Sequence, residues 1–330
     1  MAWITRDDFI ELRAKIRQRG LHYILTKVNP SSADRVRSTF GASSATHANW
    51  WIIPAIRARW NQRITGEARQ PYEEYVIERY LSGAQHLRML SLGCGVGSHE
   101  RAFAKKGPFS EVIGIDLAPN LIEQANAMAR QEELTNIRFI TADVNTLKLS
   151  GPRYDVLLFH SSLHHFLQLG HLMETTIPAL LKPGGFLVLN DYWGPNRLQW
   201  TRAQLATINR LLPQLPRRYR QRFLSKSIKN RVHGPGYWRM KLSDPSEAAE
   251  AERIYPLLRK HYQTLEESTV GGNILMPLFK DIAHNFLEED EETRQWLTWL
   301  FRAEDEFLAR TSERSLLFFG VYQPNVTRPE

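Results

Sequence analysis

Residues 88–98 read Arg-Met-Leu-Ser-Leu-Gly-Cys-Gly-Val-Gly-Ser. A short apolar run ends there in a glycine cluster, which is how a buried strand stops at a tight turn. Glycines let the backbone reverse sharply and let a ligand approach without a Cβ in the way. A helix is expected to follow from His99 to Lys106, and its first N–H groups would face a carboxylate or phosphate. The spacing departs from the dinucleotide fingerprint G-x-G-x-x-G, because Gly97 comes one residue early and Ser98 stands where the third glycine belongs. The early glycine suits a turn that leaves room for a bulkier, amino-acid-like group.

The alternation continues outward from this turn. Strands are expected at residues 111–115, 137–140, 154–159 and 186–189, and helices at 120–132 and 171–181, the last closed by Lys182-Pro-Gly-Gly. Apolar strands alternating with helices imply a parallel α/β sheet with both faces covered. Before it, residues 1–85 read as a helical cap, with apolar spacing from Asp7 to Arg19, an aromatic-rich stretch from Trp50 to Trp60, and a helix from Pro71 to Leu81. After the core (86–193) comes a basic insert (194–240), and residues 241–330 carry helices, expected at 245–261, 274–286 and 293–309, with further strands at 262–269 and 314–323.

Asp116 ends the second strand, about twenty residues past the turn. A carboxylate there can accept from both ribose hydroxyls of an adenosine. It could equally cap the following helix. Asp143 ends the third strand in Thr-Ala-Asp-Val-Asn and can accept from an exocyclic adenine amine, or serve only as a turn residue.

From Met89 to Tyr192 the chain resembles the class I S-adenosylmethionine-dependent methyltransferases, closest in look to the small-molecule and quinone-type branch. The pieces that carry the resemblance are Leu-Ser-Leu-Gly-Cys-Gly-Val-Gly-Ser, Gly-Ile-Asp-Leu-Ala-Pro, Thr-Ala-Asp-Val, Tyr-Asp-Val-Leu-Leu-Phe-His-Ser-Ser-Leu-His-His and Leu-Leu-Lys-Pro-Gly-Gly-Phe-Leu-Val-Leu, in that order. The resemblance implies a Rossmann-like seven-stranded sheet with an antiparallel last strand. It implies S-adenosyl-L-methionine as cofactor, with Gly93, Cys94, Gly95 and Gly97 around the methionine part. Asp116 and Leu117 would then face the ribose, Asp143 and Val144 the adenine, and His160 would line the pocket. Ser91 stands where many relatives carry an acid, so one polar contact to the cofactor is expected to be weakened or rebuilt. Glu100, in the first helix turn, reads as an exposed acid.

A sulfonium-bound methyl is already electrophilic, so alignment supplies much of the rate. A base matters where the acceptor must lose a proton. His164, His165 and Asp191, after the fourth and fifth strands, are the candidates, although either histidine could be a packed helix-start residue. Trp50, Arg57, Tyr192 and Trp193 are candidate substrate contacts. The expected reaction is methyl transfer, most readily to oxygen, on a small-molecule or lipid-like acceptor that is anionic or carrier-bound. RNA methylation and a non-catalytic cofactor-binding scaffold are the other readings.

Composition narrows the field further. The single cysteine, Cys94, excludes a disulfide framework and Cys-based metal clusters. No metal site is expected, and the natural home is a reducing compartment, the cytoplasm. From Gly194 to Met240 there are eleven basic residues and no acid, so the rest of the chain is net negative against a total of +8. That segment could be a solvated face, a magnet for an anionic substrate, acidic carrier or phospholipid surface, or an RNA contact, with nucleic acid the least favoured.

Overall fold

The computed structural model describes residues 3–19, 49–144 and 153–325. The part of the expected helical cap between residues 20 and 48 lies outside them. The elements, in chain order, are α1 (Arg6–Arg19), α2 (Pro54–Thr65), α3 (Tyr72–Tyr80), β1 (Leu87–Leu92), α4 (Ser98–Lys106), β2 (Phe109–Asp116), α5 (Pro119–Gln131), β3 (Ile137–Thr141), β4 (Tyr154–His160), α6 (169–180), β5 (Leu181–Tyr192), α7 (Arg202–Leu211), α8 (Tyr237–Ser243), α9 (Ile254–His261), β6 (Tyr262–Gly271), α10 (Leu275–Phe279), α11 (Glu291–Arg310) and β7 (Leu317–Pro324).

The seven strands form one sheet in the order β3-β2-β1-β4-β5-β7-β6. β1 to β5 pair in parallel, and the last strands run antiparallel. The order reverses direction between β1 and β4. In open α/β sheets a ligand crevice opens at such a reversal, outside the carboxyl ends of the strands. Gly93 and His160 stand at those two ends. Helix α5 shows how the sequence covers a face: Leu121, Ile122, Ala125 and Ala129 recur at helical spacing and are buried, and the last three pack with Phe139 of β3, against which Cys94 and Ile137 also rest.

Two compact units arise, neither continuous in sequence. One comprises residues 64–193, 248–269 and 318–330 and holds nearly all of the sheet. The other comprises residues 1–63, 194–247 and 270–317 and is helical. Within the helical unit, Trp50, Trp51 and Trp60 pack ring to ring, Arg59 and Arg63 both bind Asp305, and buried Glu304 accepts from the backbone N–H groups of Ile274 and Leu275 at 2.9 and 3.1 Å.

Two helices expected from periodicity are cut short by polar side chains. The helix expected from Pro245 begins only at Ile254. Asp244 folds the chain into a turn by accepting from the N–H groups of Ser246 and Glu247, and Arg197 takes the carbonyls of Asp244, Pro245 and Glu247. The helix expected over 274–286 stops at Phe279. Asp281 has φ +68°, and the buried Lys229 ammonium donates to the carbonyls of Pro277, Leu278 and Lys280 at 2.9, 2.9 and 2.6 Å. The run at 169–180 is helical as expected, but Leu172–Thr176 forms a π turn within it.

The basic segment is largely spent inside its own unit. Arg218 binds Glu292, Arg222 binds Asp281, Arg239 binds Asp8 and Glu11, and Arg220 binds Asn230. With Arg197 and Lys229, six of the eleven cations are engaged by groups that no local window of sequence would connect.

Burial pulls the Lys229 pKa down to about 7, partly opposed by Asp281. Its three carbonyl partners have no substitute donor of the same reach. Lys229→Met is expected to lower the unfolding free energy by about 2–3 kcal/mol, the cost of stranding buried acceptors, as read from urea denaturation.

Candidate functional site

The glycine turn is fastened to the end of β2. The Ile115 carbonyl accepts from both Gly93 and Cys94 N–H, at 2.7 and 3.1 Å. One Asp116 oxygen accepts from Gly95 N–H at 2.9 Å and the other from Ala118 N–H at 2.9 Å. The residue at the N-cap position of α5 is Ala118, not Asp116. A carboxylate offers about four lone-pair sites, so half-buried Asp116 retains acceptor capacity after these two bonds.

All three glycines have positive φ: 80° at Gly93, 55° at Gly95 and 69° at Gly97. Their surroundings differ. A Cβ on Gly97 would collide with the Phe139 ring at 2.2 Å, and one on Gly93 with Ser162 Cβ at 2.5 Å, whereas a Cβ on Gly95 would meet nothing within 4 Å. Packing therefore demands Gly93 and Gly97, while Gly95 faces open space beside Asp116. Leu117, Asp143 and Val144 lie partly exposed at the same ends of β2 and β3.

Ser91 and Glu100 lie beneath the turn. Glu100 is only 1 % exposed, which corrects its reading as a surface acid. Ser91 Oγ donates to it at 2.6 Å, and burial raises its pKa against the opposing pull of the His99 charge and the Ser91 hydrogen bond. Ser91 thus directs its hydroxyl at an internal carboxylate.

His160 stacks on His99 with ring centroids 3.5 Å apart, and its Nδ1 lies 3.0 Å from the Tyr72 hydroxyl. His99 Nδ1 pairs with buried Glu73. The stacked rings titrate in opposite directions. Burial pulls His99 down, but the hydrogen bond and charge of Glu73 outweigh it, and its pKa is raised. Burial and then the His99 charge hold His160 well below its ordinary value. The Tyr72–Glu73–His99 network was not read from the sequence. Its one local signal is a histidine in the first turn of the helix after the glycines.

At the ends of β4 and β5, His164 Nδ1 lies 2.5 Å from Asp191 Oδ1. Asp191 is fully buried and also accepts from the N–H groups of Ser162, Leu163 and Tyr192 at 2.8, 2.8 and 2.7 Å. Burial alone would raise its pKa; the His164 charge and hydrogen bond and these backbone donors reverse that and lower it. Ser162 closes the link to the glycine turn, since its Oγ donates to the Leu92 carbonyl at 2.7 Å. The His165 ring lies 4.2 Å from that of His164.

The four candidate substrate residues divide between the units. Trp50 is buried in the tryptophan cluster, and Arg57 is exposed, donating to the Trp51 carbonyl. Tyr192 and Trp193 are buried in the sheet unit, where Trp193 lies flat on Phe318 with centroids 3.8 Å apart. These rings are occupied by packing.

Two outcomes follow. Gly95→Ala is expected to weaken adenosine-ligand binding, measured calorimetrically, with a modest strain of about 1–2 kcal/mol from its left-handed backbone; Gly97→Ala is expected to lower the melting temperature more, because Phe139 must also move. In a histidine NMR titration, His99 is expected to titrate above 6.5 and His160 below it, with the His99 value falling in Glu73→Gln. A raised folded pKa stabilises at acid pH, so the stability lost in Glu73→Gln is expected in full below about 6.5 and to vanish as pH rises through the raised value.

A family model described as a methyltransferase domain matches residues 84–261, more than half of the chain. Among characterised relatives, the malonyl-[acyl-carrier protein] O-methyltransferase of Paenibacillus is 28% identical over 44% of this chain and 52% of its own length. A ubiquinone biosynthesis O-methyltransferase of Cereibacter sphaeroides is 38% identical over 31% of this chain and 40% of its own. The chain thus spans about half or less of the length of these relatives. A ubiquinone/menaquinone biosynthesis C-methyltransferase of Stutzerimonas stutzeri is 26% identical over 62% of this chain and 80% of its own length. The solved phosphoethanolamine N-methyltransferase 2 of Haemonchus contortus, in complex with S-adenosyl-L-methionine, shares the fold at 15% identity and a TM-score of 0.51, covering 89% of this chain and 60% of its own. With the glycine turn, its acid and the sheet order already described, the chain belongs to the methyltransferase-domain family and has the fold of the class I S-adenosylmethionine-dependent enzymes.

Proposed function

We propose that this enzyme methylates a hydroxyl on a small, lipid-like acceptor, with His164 as the base and Asp191 as the residue that orients it. The observation that carries the reading is the continuous link Leu92–Ser162–Asp191–His164, which ties an acid–base pair to the end of the cofactor turn. The residues present fit the cofactor: Gly95 leaves open space beside it, and Asp116 has acceptor capacity for a ribose diol. In this reading Gly93, Cys94 and Gly97 shape the methionine end, Leu117, Asp143 and Val144 the adenosine end, and His160 the wall between. Bound there, S-adenosyl-L-methionine supplies an electrophilic methyl.

The chain's own contribution is alignment, exclusion of water and removal of a proton. An ionised Asp191 facing Nδ1 makes that nitrogen the donor, so in the neutral ring the basic nitrogen is Nε2. The lowered pKa of Asp191 keeps it ionised while the imidazole accepts a proton, and the resulting imidazolium is stabilised by the adjacent carboxylate. His165, in ring contact, is the second candidate for that role. Relatives named for O-methylation in ubiquinone biosynthesis support a hydroxyl acceptor, and the malonyl-carrier relative keeps an anionic, carrier-bound acceptor in view. RNA methylation loses support from the internal engagement of Arg222, Lys229 and Arg239, and a silent scaffold would give the His164–Asp191 pair no use.

His164→Gln and Asp191→Asn are expected to reduce kcat by about 10²- to 10⁴-fold with the calorimetric affinity for S-adenosyl-L-methionine unchanged. Labelled methyl transferred into a cell extract is expected in the organic-extractable fraction. Label in RNA or on protein side chains, or full activity in both variants, would overturn the assignment.

A further inference from the structure

We propose that the helical unit carries a docking face for an anionic phospholipid surface, formed by Trp3, Ile4, Phe9, Leu12, Trp238 and Leu242. These side chains are large, apolar and exposed: Phe9 at 65 %, Trp3 at 59 %, Trp238 at 48 % and Leu12 at 43 %. Single exposed apolar residues are ordinary, whereas a group of them gathered on two adjoining segments marks an interaction site.

The two segments are joined. The Trp3 ring lies 5.6 Å from Tyr237 and 5.9 Å from Trp238, and Trp238 N–H donates to the Trp3 carbonyl. On α8, Trp238, Lys241 and Leu242 share one exposed face at i, i+3 and i+4.

Helix α1 is sorted by charge as well as by polarity. At about 100° per residue, Arg6, Phe9, Leu12 and Arg13 fall within one arc of about 120°, all exposed. Asp7, Asp8 and Glu11 fall on the opposite side and are used internally. Asp7 accepts from the N–H groups of His233 and Gly234, Asp8 from that of Gly236, and Asp8 and Glu11 both bind Arg239. Every acid of α1 is thereby turned inward, and the outward arc presents only apolar and cationic groups. This charge complementarity selects the occupant. Tryptophan favours the membrane–water interface, and cations flanking an apolar face favour anionic headgroups. No helix among the described residues is long and apolar enough to cross a membrane, so the contact is peripheral. The proposal does not depend on which acceptor is methylated.

Co-sedimentation of the full chain with vesicles of phosphatidylcholine mixed with phosphatidylglycerol tests it. The protein is expected to pellet with these vesicles, and far less with phosphatidylcholine alone or at high salt. The double variant Phe9→Glu, Leu12→Glu is expected to reduce the partition coefficient at least about tenfold, with its circular dichroism and melting temperature unchanged. Lys241→Glu is expected to weaken binding only to the anionic vesicles. Failure to pellet with either vesicle, equal partition of wild type and variants, or self-association in sedimentation velocity that the double variant abolishes while vesicles retain nothing, would each overturn it; the last would make a second copy the occupant.

Discussion

The Ile115 carbonyl, accepting from both Gly93 and Cys94, is the contact on which the cofactor site rests. It locks the start of the glycine turn to the end of β2, and Asp116, one residue on, locks the middle through Gly95 N–H. The acid proposed to face the ligand is therefore also part of the scaffold that shapes the glycine turn. That double use explains why a strand end, rather than a loop, carries it: a strand buried on both sides holds its last residues to the geometry of its neighbours. Ser162 extends the same fastening across β1 to β4 by donating to Leu92, and the loop after β4 then delivers its N–H groups to Asp191. The glycine turn and the His164–Asp191 pair are two ends of one hydrogen-bonded structure.

Two histidine–carboxylate pairs flank this structure, one buried and one partly exposed through His99, and they differ in kind. Asp191 collects three backbone donors besides His164, so its charge is compensated without the imidazole's proton. Glu73 faces His99, whose ring is stacked on His160, and the two rings hold protons unequally because charging both at 3.5 Å separation would be costly. The first arrangement compensates the carboxylate with backbone donors as well as with the imidazole. The second shifts the two rings in opposite directions, His99 up and His160 down, with the Tyr72 hydroxyl on His160. Polar groups this deep are costly unless satisfied, and each here is held by partners drawn from several elements.

The helical unit follows a related logic with the opposite outcome at its surface. Acids of α1 and of residues 281–292 pair with cations from the basic segment, as Asp8 and Glu11 do with Arg239 and Asp281 with Arg222. What reads as a single-sign run of +11 is dispersed on folding. The outward residue of that pairing is a face with its acids withdrawn, which is a property of helix rotation rather than of composition.

Much of the protein was determined by local sequence. Apolar runs of strand length, the spacing of Gly93, Gly95 and Gly97, and acids at the ends of two strands led to the parallel core and the turn, and the family resemblance they carry implied the methyl donor. His164 and Asp191 were legible as candidates because they stand at strand ends. Their pairing was not, since 27 residues separate them and only the parallel register of β4 and β5 closes that gap. Glu100 was misread because a helix acid after a glycine turn looks solvent-facing until Ser91 is seen beneath it. The shortened helices at 245–253 and 280–286 have the same origin: Arg197 and Lys229 reach carbonyls about fifty residues away, and no helical periodicity records that. Local sequence decides where chains bend and which faces are apolar, because those depend on a few neighbouring side chains. Which buried charges meet, and which are left outside, only the tertiary structure decided, because desolvation is relieved by whichever partner the fold brings within reach.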